Sequence, residues 1–190
     1  MGKTTPIQAF RKIALDFLPQ LSPWPGLPNS GYPLKMADGD DGDLKIGFPL
    51  SGPRFIALGD GTVLDTVTGR MWVADPDLCP APIAIGGVAQ VMNWEAAIDA
   101  CLNLDYAGYT DWKLPNIVEL TSLFFINPTG QQIDLNFFSV KIWFYWASTT
   151  WCEVTSDAWL TEFLQGFTHV GDKASNTLYV LPVRGGPKLL

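Results

Sequence analysis

Two closely spaced glycine-bearing turns constrain the fold of this chain more than any other feature of its sequence. Gly59-Asp60-Gly61 and Thr68-Gly69 interrupt the segment between positions 54 and 74. Turns this close together leave room only for short antiparallel strands that are joined by tight hairpins. The sequence therefore predicts a β-meander whose strands cover residues 54–58, 62–65 and 70–74.

Two helices are predicted after the meander. Asn93 can cap a helix over residues 93–104, and Asn116 with Glu119 can form a capping box for a helix over residues 116–125. Strands are expected again after Pro128, over residues 143–149, 158–163 and 178–183. An order of strands, two helices and more strands predicts an α+β fold with an antiparallel sheet.

Aromatic residues make up 13% of the chain, and we expect many of them in the core. The segment Asp111-Trp112-Lys113-Leu114-Pro115 reads as scaffold: Trp112 and Leu114 anchor the approach to the second helix, and Lys113 can pair with a nearby carboxylate. The residues that we predict to be core are Trp72, Trp94, Trp112, Leu114 and Leu120.

The order of several separated motifs carries a family resemblance. They include Thr68-Gly69-Arg70-Met71-Trp72, Ala107-Gly108-Tyr109-Thr110-Asp111-Trp112, Trp146-Ala147-Ser148-Thr149-Thr150 and Val183-Arg184-Gly185-Gly186. In this order they resemble the C-terminal domain of bacterial collagen-like adhesins, over roughly residues 32–186. The resemblance implies a C-type-lectin-like fold of the formylglycine-generating type, in which strand 54–58 or 70–74 lies beside strand 178–183.

One branch of that fold suggests a more specific role. Variable proteins of diversity-generating retroelements carry their ligand contacts late in such a domain, on a frame similar to Leu181-Pro182-Val183-Arg184-Gly185-Gly186. The resemblance therefore also implies a variable protein of a retroelement.

Proline and glycine divide the N-terminal part from the rest of the chain. Residues 5–18 have apolar residues at helical spacing, and residues 19–53 are rich in proline and glycine, which indicates a long wrapping loop. We predict an N-terminal segment over residues 1–31 and a ligand-binding domain over residues 32–190. The exposed apolar face of the first helix favours packing on the domain or formation of a homo-oligomer.

Composition narrows the classes of partner. The formal net charge of −7 repels phosphate backbones, so we expect no nucleic-acid partner. No apolar run approaches the ~18 residues of a membrane helix, and the N-terminus shows no signal-peptide pattern. The family resemblance implies a protein that is displayed on a cell surface, secreted or part of a virion.

The sequence contains few of the residue patterns that catalysis requires. We expect His169, the single histidine, to lie in a polar loop, and no nucleophile motif occurs. Cys79, Cys101 and Cys152 could form one disulfide and one thiol, or remain as three buried thiols, which we favour. The enzymes of formylglycine-generating type use a late cysteine pair, whereas only Cys152 lies late here. We therefore predict no catalysis and no cofactor.

A cluster of four aspartates leaves calcium as an alternative. Several carboxylates within a few residues suit a hard cation, but their spacing does not match the EF-hand pattern. A turn stabilised by hydrogen bonds from its own aspartate side chains to its backbone fits the sequence better. The candidate ligands are Asp38, Asp40, Asp41 and Asp43.

Late in the chain, large rings alternate with polar side chains, as they do in recognition surfaces. In the belt from Trp143 to Trp146 alternate residues face opposite ways, so we expect one pair of rings outside the core. The predicted ligand contacts are Tyr145, Trp151, Glu153, Asp157, Trp159, Phe163, Gln165, Phe167, His169 and Asn176.

These observations predict a non-catalytic domain that binds a protein or glycan at a cell or virus surface. The absence of a basic cluster favours a protein or neutral glycan over a sulfated polysaccharide. A divergent enzyme of formylglycine-generating type and a purely structural domain of a virion or fibre are the alternatives.

Overall fold

The computed structural model describes residues 37–44, 53–124 and 132–185. The chain divides into two compact units, residues 1–50 and 51–190. The predicted N-terminal helix lies outside the described residues, as does most of the wrapping loop. The predicted boundary between residues 31 and 32 therefore stays a prediction.

In the first unit, the described residues form a turn and the short helix α1, Asp41–Leu44. Asp40 accepts hydrogen bonds from the backbone N–H groups of Ala37 and Asp43 at 2.9 and 2.8 Å, and Asp43 accepts one from Gly39 at 2.9 Å. The predicted turn with internal side-chain-to-backbone hydrogen bonds is thus present, and it leads into the single helical turn of α1.

The second unit begins with the predicted meander. Its strands are β1 (Phe55–Ala57), β2 (Thr62–Asp65) and β3 (Arg70–Val73), and each pairs antiparallel with the next. Gly61 closes the first turn with φ of +90°, where a Cβ atom would lie 2.1 Å from the Tyr106 hydroxyl oxygen. The turn therefore requires glycine at this position for its backbone angle and for space.

A strand from the end of the chain completes this sheet. In the order β1-β2-β3-β9, the strand β9 (Val183–Gly185) pairs antiparallel with β3, with Trp72 opposite Val183. The prediction that early and late strands meet is confirmed for the third strand of the meander. The late strand covers residues 183–185 instead of the predicted 178–183, so only Val183 lies in both ranges, and residues 178 and 179 make isolated bridges.

Two α-helices follow in the described part of residues 51–190. The first is α2, Trp94–Leu102, whose cap Asn93 accepts from the N–H of Ala96, and the second is α3, Ile117–Thr121. Both predicted caps are confirmed, including the reciprocal box of Asn116 and Glu119. The second helix is shorter than predicted, because it ends at Thr121 and the last described residues before position 125 form turns.

Between the meander and α2 lie a 3₁₀ turn, Pro76–Leu78, and a hairpin of β4 (Ala84–Ile85) and β5 (Val88–Ala89), which the sequence did not predict.

The segment before α3 is scaffold, as predicted. Trp112 and Leu114 are buried, and Lys113 donates to the buried carboxylate of Glu119 at 2.7 Å. Arg70 contacts the same carboxylate at 2.8 Å, so Glu119 joins the meander to the helix. Of the predicted core residues, only Trp94 is half-buried; its indole N–H donates to the Ala147 carbonyl oxygen at 2.8 Å.

A second sheet has the order β6-β7-β8, with β6 at Phe144–Thr150, β7 at Asp157–Glu162 and β8 at Phe167–Asp172. It carries core residues on both faces. Trp146 and Leu160 belong to one buried cluster, whereas Tyr145, Ala147 and Phe163 belong to another. The expectation that alternate rings of the belt would lie outside the core is wrong, because both faces of the sheet are covered. The expectation of a polar loop around His169 is also wrong, because this segment is strand β8.

The three cysteines are thiols with different surroundings. Cys79 and Cys101 are buried, while Cys152 is exposed in the connection between β6 and β7. The expectation of three buried thiols is therefore wrong for Cys152. No helix in the described residues is long and apolar enough to span a membrane.

Candidate ligand-binding surface

The second sheet separates the predicted ligand contacts into two groups. Trp151, Glu153, Asp157 and Asn176 lie around one end of the sheet, near the end of β6 and the start of β7. Gln165 and Phe167 lie at the other end, in and after the turn between β7 and β8. At about 3.3 Å per residue, the seven residues of β6 place these ends roughly 20 Å apart. The ten predicted contacts therefore do not form one site.

Two of the predicted contacts are core residues. Tyr145 is 1% exposed and Phe163 is 0% exposed, and their rings lie 5.2 Å apart in the second cluster. Burial raises the pKa of the Tyr145 hydroxyl far above its usual range. Neither side chain reaches the surface, so both are corrected from ligand contacts to core. Trp159 is half-buried against the same cluster and is mainly a packing residue.

Aromatic side chains cluster at the end of the sheet where β6 begins and β7 turns into β8. Trp143 is 58% exposed, and its ring lies 5.6 Å from that of Phe144. The Phe144 ring lies 5.8 Å from the ring of His169, which lies 6.1 Å from the ring of Phe167. Phe167 is 53% exposed. We call Trp143, Phe144, His169 and Phe167 the aromatic strip.

Strand register explains why Phe144, Phe167 and His169 meet, and Trp143 directly precedes Phe144. Phe144 is opposite Glu162 on β7, and Glu162 is opposite Phe167 on β8. His169 is two residues further along β8 and hence on the same face as Phe167. This face is buried further along the sheet, under Trp146 and Leu160, and becomes exposed only where the covering elements end.

An open groove of about 410 Å³ adjoins the strip at Trp143. Its floor and walls combine apolar side chains with a hydroxyl, a phenol and an ammonium group. The lining residues are Val91, Lys141, Ile142, Trp143, Thr177 and Tyr179. Rings beside a groove with a few polar groups are typical of a recognition site.

The charged groups near the strip are already engaged within the protein. Lys141 binds Asp77 at 2.6 Å, and this hydrogen bond lowers the pKa of Asp77 and raises that of Lys141. The carboxylate of Glu162 accepts the backbone N–H groups of Leu164 and Gln165 at 2.7 and 2.9 Å. A ligand that approaches the strip therefore meets rings and compensated charges.

Sequence reasoning found Phe167 and His169 but missed Trp143, Phe144 and the groove. Trp143 and Phe144 stood in the aromatic belt, which was interpreted by alternation alone. A usable signal was their position at the start of the belt, close to the charged Lys141.

The described residues give little support to a metal centre. No group of three histidine, cysteine, aspartate or glutamate side chains among them is arranged to hold an ion. The calcium alternative at the aspartate cluster stays a prediction.

Among curated proteins, none matches the chain in sequence. The model of one protein family, the Lcl C-terminal domain, matches residues 61–184. This match starts in the meander, takes in α2, α3 and the whole second sheet, and ends on β9. Since it covers well over half of the sequence, the chain belongs to the Lcl C-terminal domain family.

Proposed function

We propose that this chain is a non-catalytic recognition domain of the adhesin type, which binds a protein or neutral glycan at a cell or virus surface through the aromatic strip. The observation that carries the proposal is the exposure of Trp143 and Phe167, at 58% and 53%, in one continuous set of ring contacts. The pairing of β3 with β9 supports the C-type-lectin-like fold that belongs to this proposal.

Large exposed rings need an explanation in terms of ligand binding. An aromatic side chain at the surface keeps water against a large apolar area, and burial of that area favours binding at a small cost in side-chain entropy. Tryptophan is also among the residues that most often dominate binding energy in interfaces. The strip concentrates four rings at one end of the sheet, which gives a ligand a rigid platform.

Charge selects the class of ligand. The cation nearest the groove, Lys141, is bound to Asp77, and the formal net charge of the chain is −7. A sulfated polysaccharide would have to compete with Asp77 for this ammonium group and would be repelled by the chain as a whole. A neutral glycan or an uncharged protein segment would have no such penalty.

The thiols of the core favour binding over catalysis. Burial raises the pKa of Cys79 to about 12, and it also raises that of Cys101 well above its usual range. Oxidative thiol chemistry starts from the thiolate, which is scarce at neutral pH in such surroundings. The formylglycine-generating alternative therefore lacks a reactive cysteine pair among the described residues.

The same strip would suit a variable protein of a diversity-generating retroelement, in which contact positions differ between copies. A reverse-transcriptase gene near this one, with a repeat of the sequence that encodes the strip, would support that role. Its absence would leave an adhesin-type domain of fixed sequence.

Binding assays with matched variants test the proposal. Glycan and surface-protein arrays first identify a ligand, and its affinity is then measured for Trp143→Ala, Phe167→Ala and Trp151→Ala. We expect at least a tenfold loss for the first two, since truncation of a central aromatic contact typically weakens binding by ~2 kcal/mol. Trp151→Ala, at the far end of the sheet, should bind like the parent.

Two further measurements complete the test. Val118→Ala removes another exposed apolar side chain, 73% exposed and on a different element, and should not change affinity. The chain should also pass through a heparin column at low salt. Unchanged binding by Trp143→Ala and Phe167→Ala, or loss of binding only with Trp151→Ala, would refute the assignment to the strip; strong heparin retention would refute the preference for a neutral ligand.

A further inference from the structure

The groove that adjoins Trp143 opens where the pairing of two backbone segments stops. Tyr179 forms an isolated parallel bridge with Tyr145 on β6. Its N–H donates to the Phe144 carbonyl oxygen, and its carbonyl oxygen accepts from the Trp146 N–H, both at 3.1 Å. These two bonds are the complete pattern of one parallel pair. On the side of Trp143 the ladder does not continue.

The next pair of this ladder would use the backbone of Thr177. A parallel ladder would join the Thr177 N–H to the Ile142 carbonyl oxygen, and the Phe144 N–H to the Thr177 carbonyl oxygen. Among the described residues neither bond forms, and the N–H and carbonyl oxygen of Thr177 have no other hydrogen-bond partner. Ile142 and Thr177 both line the groove. Its walls therefore contain a backbone donor and backbone acceptors that the described part of the protein does not use.

Two side-chain hydroxyl groups add to this set. Thr177 is exposed and Tyr179 is half-buried, and both residues line the groove. No hydrogen bond joins either hydroxyl to another described residue. Beside them, the ring of Trp143 is 58% exposed. The groove thus combines an apolar ring with uncharged donors and acceptors that are open to a ligand.

The charged groups at the groove disfavour an anionic ligand. Lys141 is the one cation among the described lining residues, and it binds Asp77 at 2.6 Å. The hydrogen bond with Asp77, together with the charge of Asp75, raises the pKa of Lys141. The Asp75 carboxylate also accepts from the Asp77 N–H at 2.9 Å. One ammonium group therefore faces two carboxylates, and a sulfate or carboxylate group of a ligand would meet net negative charge.

We propose that this groove is a subsite for one neutral pyranose residue of a glycan, which packs its apolar face on Trp143 and forms hydrogen bonds with Thr177 and Tyr179. The inference rests on the proposed function and narrows its ligand from a protein or neutral glycan to a glycan. A sugar hydroxyl both donates and accepts, so it matches a mixed set of donors and acceptors. The C–H groups of the pyranose contact the exposed indole through dispersion and remove its area from water.

A peptide strand fits these features less well. Strand addition uses a row of free backbone groups along the edge of a sheet. Here the free groups are confined to one break in the pairing, because Leu178 bonds to Met92 and Tyr179 bonds to β6 directly after Thr177. The groove volume of about 410 Å³ is also near the lower end of the ~300–1,000 Å³ that is usual for small-molecule sites. A compact ligand meets both limits, whereas an extended peptide does not.

Saturation-transfer NMR with single sugars tests the subsite directly. The neutral probes are the methyl pyranosides of glucose, galactose, mannose and N-acetylglucosamine, and the anionic probe is the methyl glycoside of glucuronic acid. We expect binding of at least one neutral probe, and at least about tenfold weaker binding of the glucuronide, because its carboxylate is repelled. Trp143→Ala should remove the signal of the neutral probe. Trp143→Phe keeps a ring and should retain part of the affinity.

Two hydroxyl deletions test the polar contacts. Thr177→Val and Tyr179→Phe keep the shape of the side chain, and each should weaken the neutral probe about three- to tenfold, the effect of one uncharged hydrogen bond. Neither hydroxyl has a partner among the described residues, so the melting temperature should stay that of the parent. The matched controls are Thr110→Val and Tyr109→Phe, which lie between α2 and α3 and outside the groove. Both should bind like the parent.

The results separate this inference from the proposed function. Absence of binding by every neutral pyranoside, equal binding of the glucuronide, or parent-like binding by both hydroxyl variants would each refute the subsite. The proposed function survives these results when the array ligand still loses affinity with Trp143→Ala and Phe167→Ala, which would indicate a protein ligand on the strip. An array ligand that is unaffected by both ring variants, while Thr177→Val still weakens the pyranoside, would refute the assignment to the strip alone.

Discussion

Three fully buried tryptophans differ in the partner of the indole N–H. Trp146 donates to the Met92 carbonyl oxygen at 2.9 Å, and Trp112 donates to that of Tyr109 at 3.1 Å. Within the described part of the chain, the N–H of Trp72 has no acceptor. All three side chains are at most 1% exposed. Substitution by phenylalanine removes the N–H in each case, so the three variants compare its worth in similar surroundings.

The expected difference follows from the hydrogen bonds. Loss of indole volume destabilises all three variants by a similar amount, on the order of 1–3 kcal/mol. Trp146→Phe also loses a hydrogen bond worth about 1 kcal/mol, without stranding an acceptor, because the Met92 carbonyl oxygen keeps the bond from Leu178 N–H at 2.9 Å. Trp72→Phe instead removes an unpartnered buried donor, which recovers about 1–3 kcal/mol. Trp72→Phe should therefore be about 2–4 kcal/mol more stable than Trp146→Phe.

Urea unfolding followed by far-ultraviolet circular dichroism measures the free energy of unfolding of each variant, and equal slopes against denaturant make the values comparable. Trp112→Phe should fall near Trp146→Phe, since its acceptor also keeps a backbone bond. If Trp72→Phe is as destabilised as the other two, the indole N–H of Trp72 has a partner after all, such as an internal water, and the argument from the unpaired donor fails.

Two other predictions concern a glycine and an ion pair. Gly61→Ala should be far more destabilising in thermal melts than Gly69→Ala, because both have positive φ but only the former would bring a Cβ atom against the Tyr106 hydroxyl; equal melting points would contradict this. Because its lysine partner lowers the pKa of Asp77 from the ordinary 3.8, the pair stabilises the fold above that pH and is lost as pH falls through the lowered value. Asp77→Asn should flatten the stability profile below pH ~4, and an unchanged profile would show that the pair contributes nothing.

Local signals in the sequence predicted the first sheet and the helix starts. The glycine turns around Gly61 and Gly69 fix two hairpins because only residues with positive φ fit them, and β2 was predicted to the residue. Asn93 and Asn116 fix the helix starts through contacts within three residues. The pairing of β3 with β9 spans most of the chain, and it was predicted only through the family resemblance.

The candidate site depended on which faces of the second sheet are covered, and this is a tertiary property. Alternation along a strand assigns residues to two faces, but it does not say whether one or both faces meet other elements. Here both faces do, so Tyr145 and Trp146 are equally buried although they point in opposite directions. Whether a ring is exposed depends on its position along the strand and not on the face of the sheet to which it points. The elements that cover the sheet end near Phe144, and the rings at that end are exposed. The composition of the late segment therefore indicated a recognition surface, while its location at one end of the sheet required the structure.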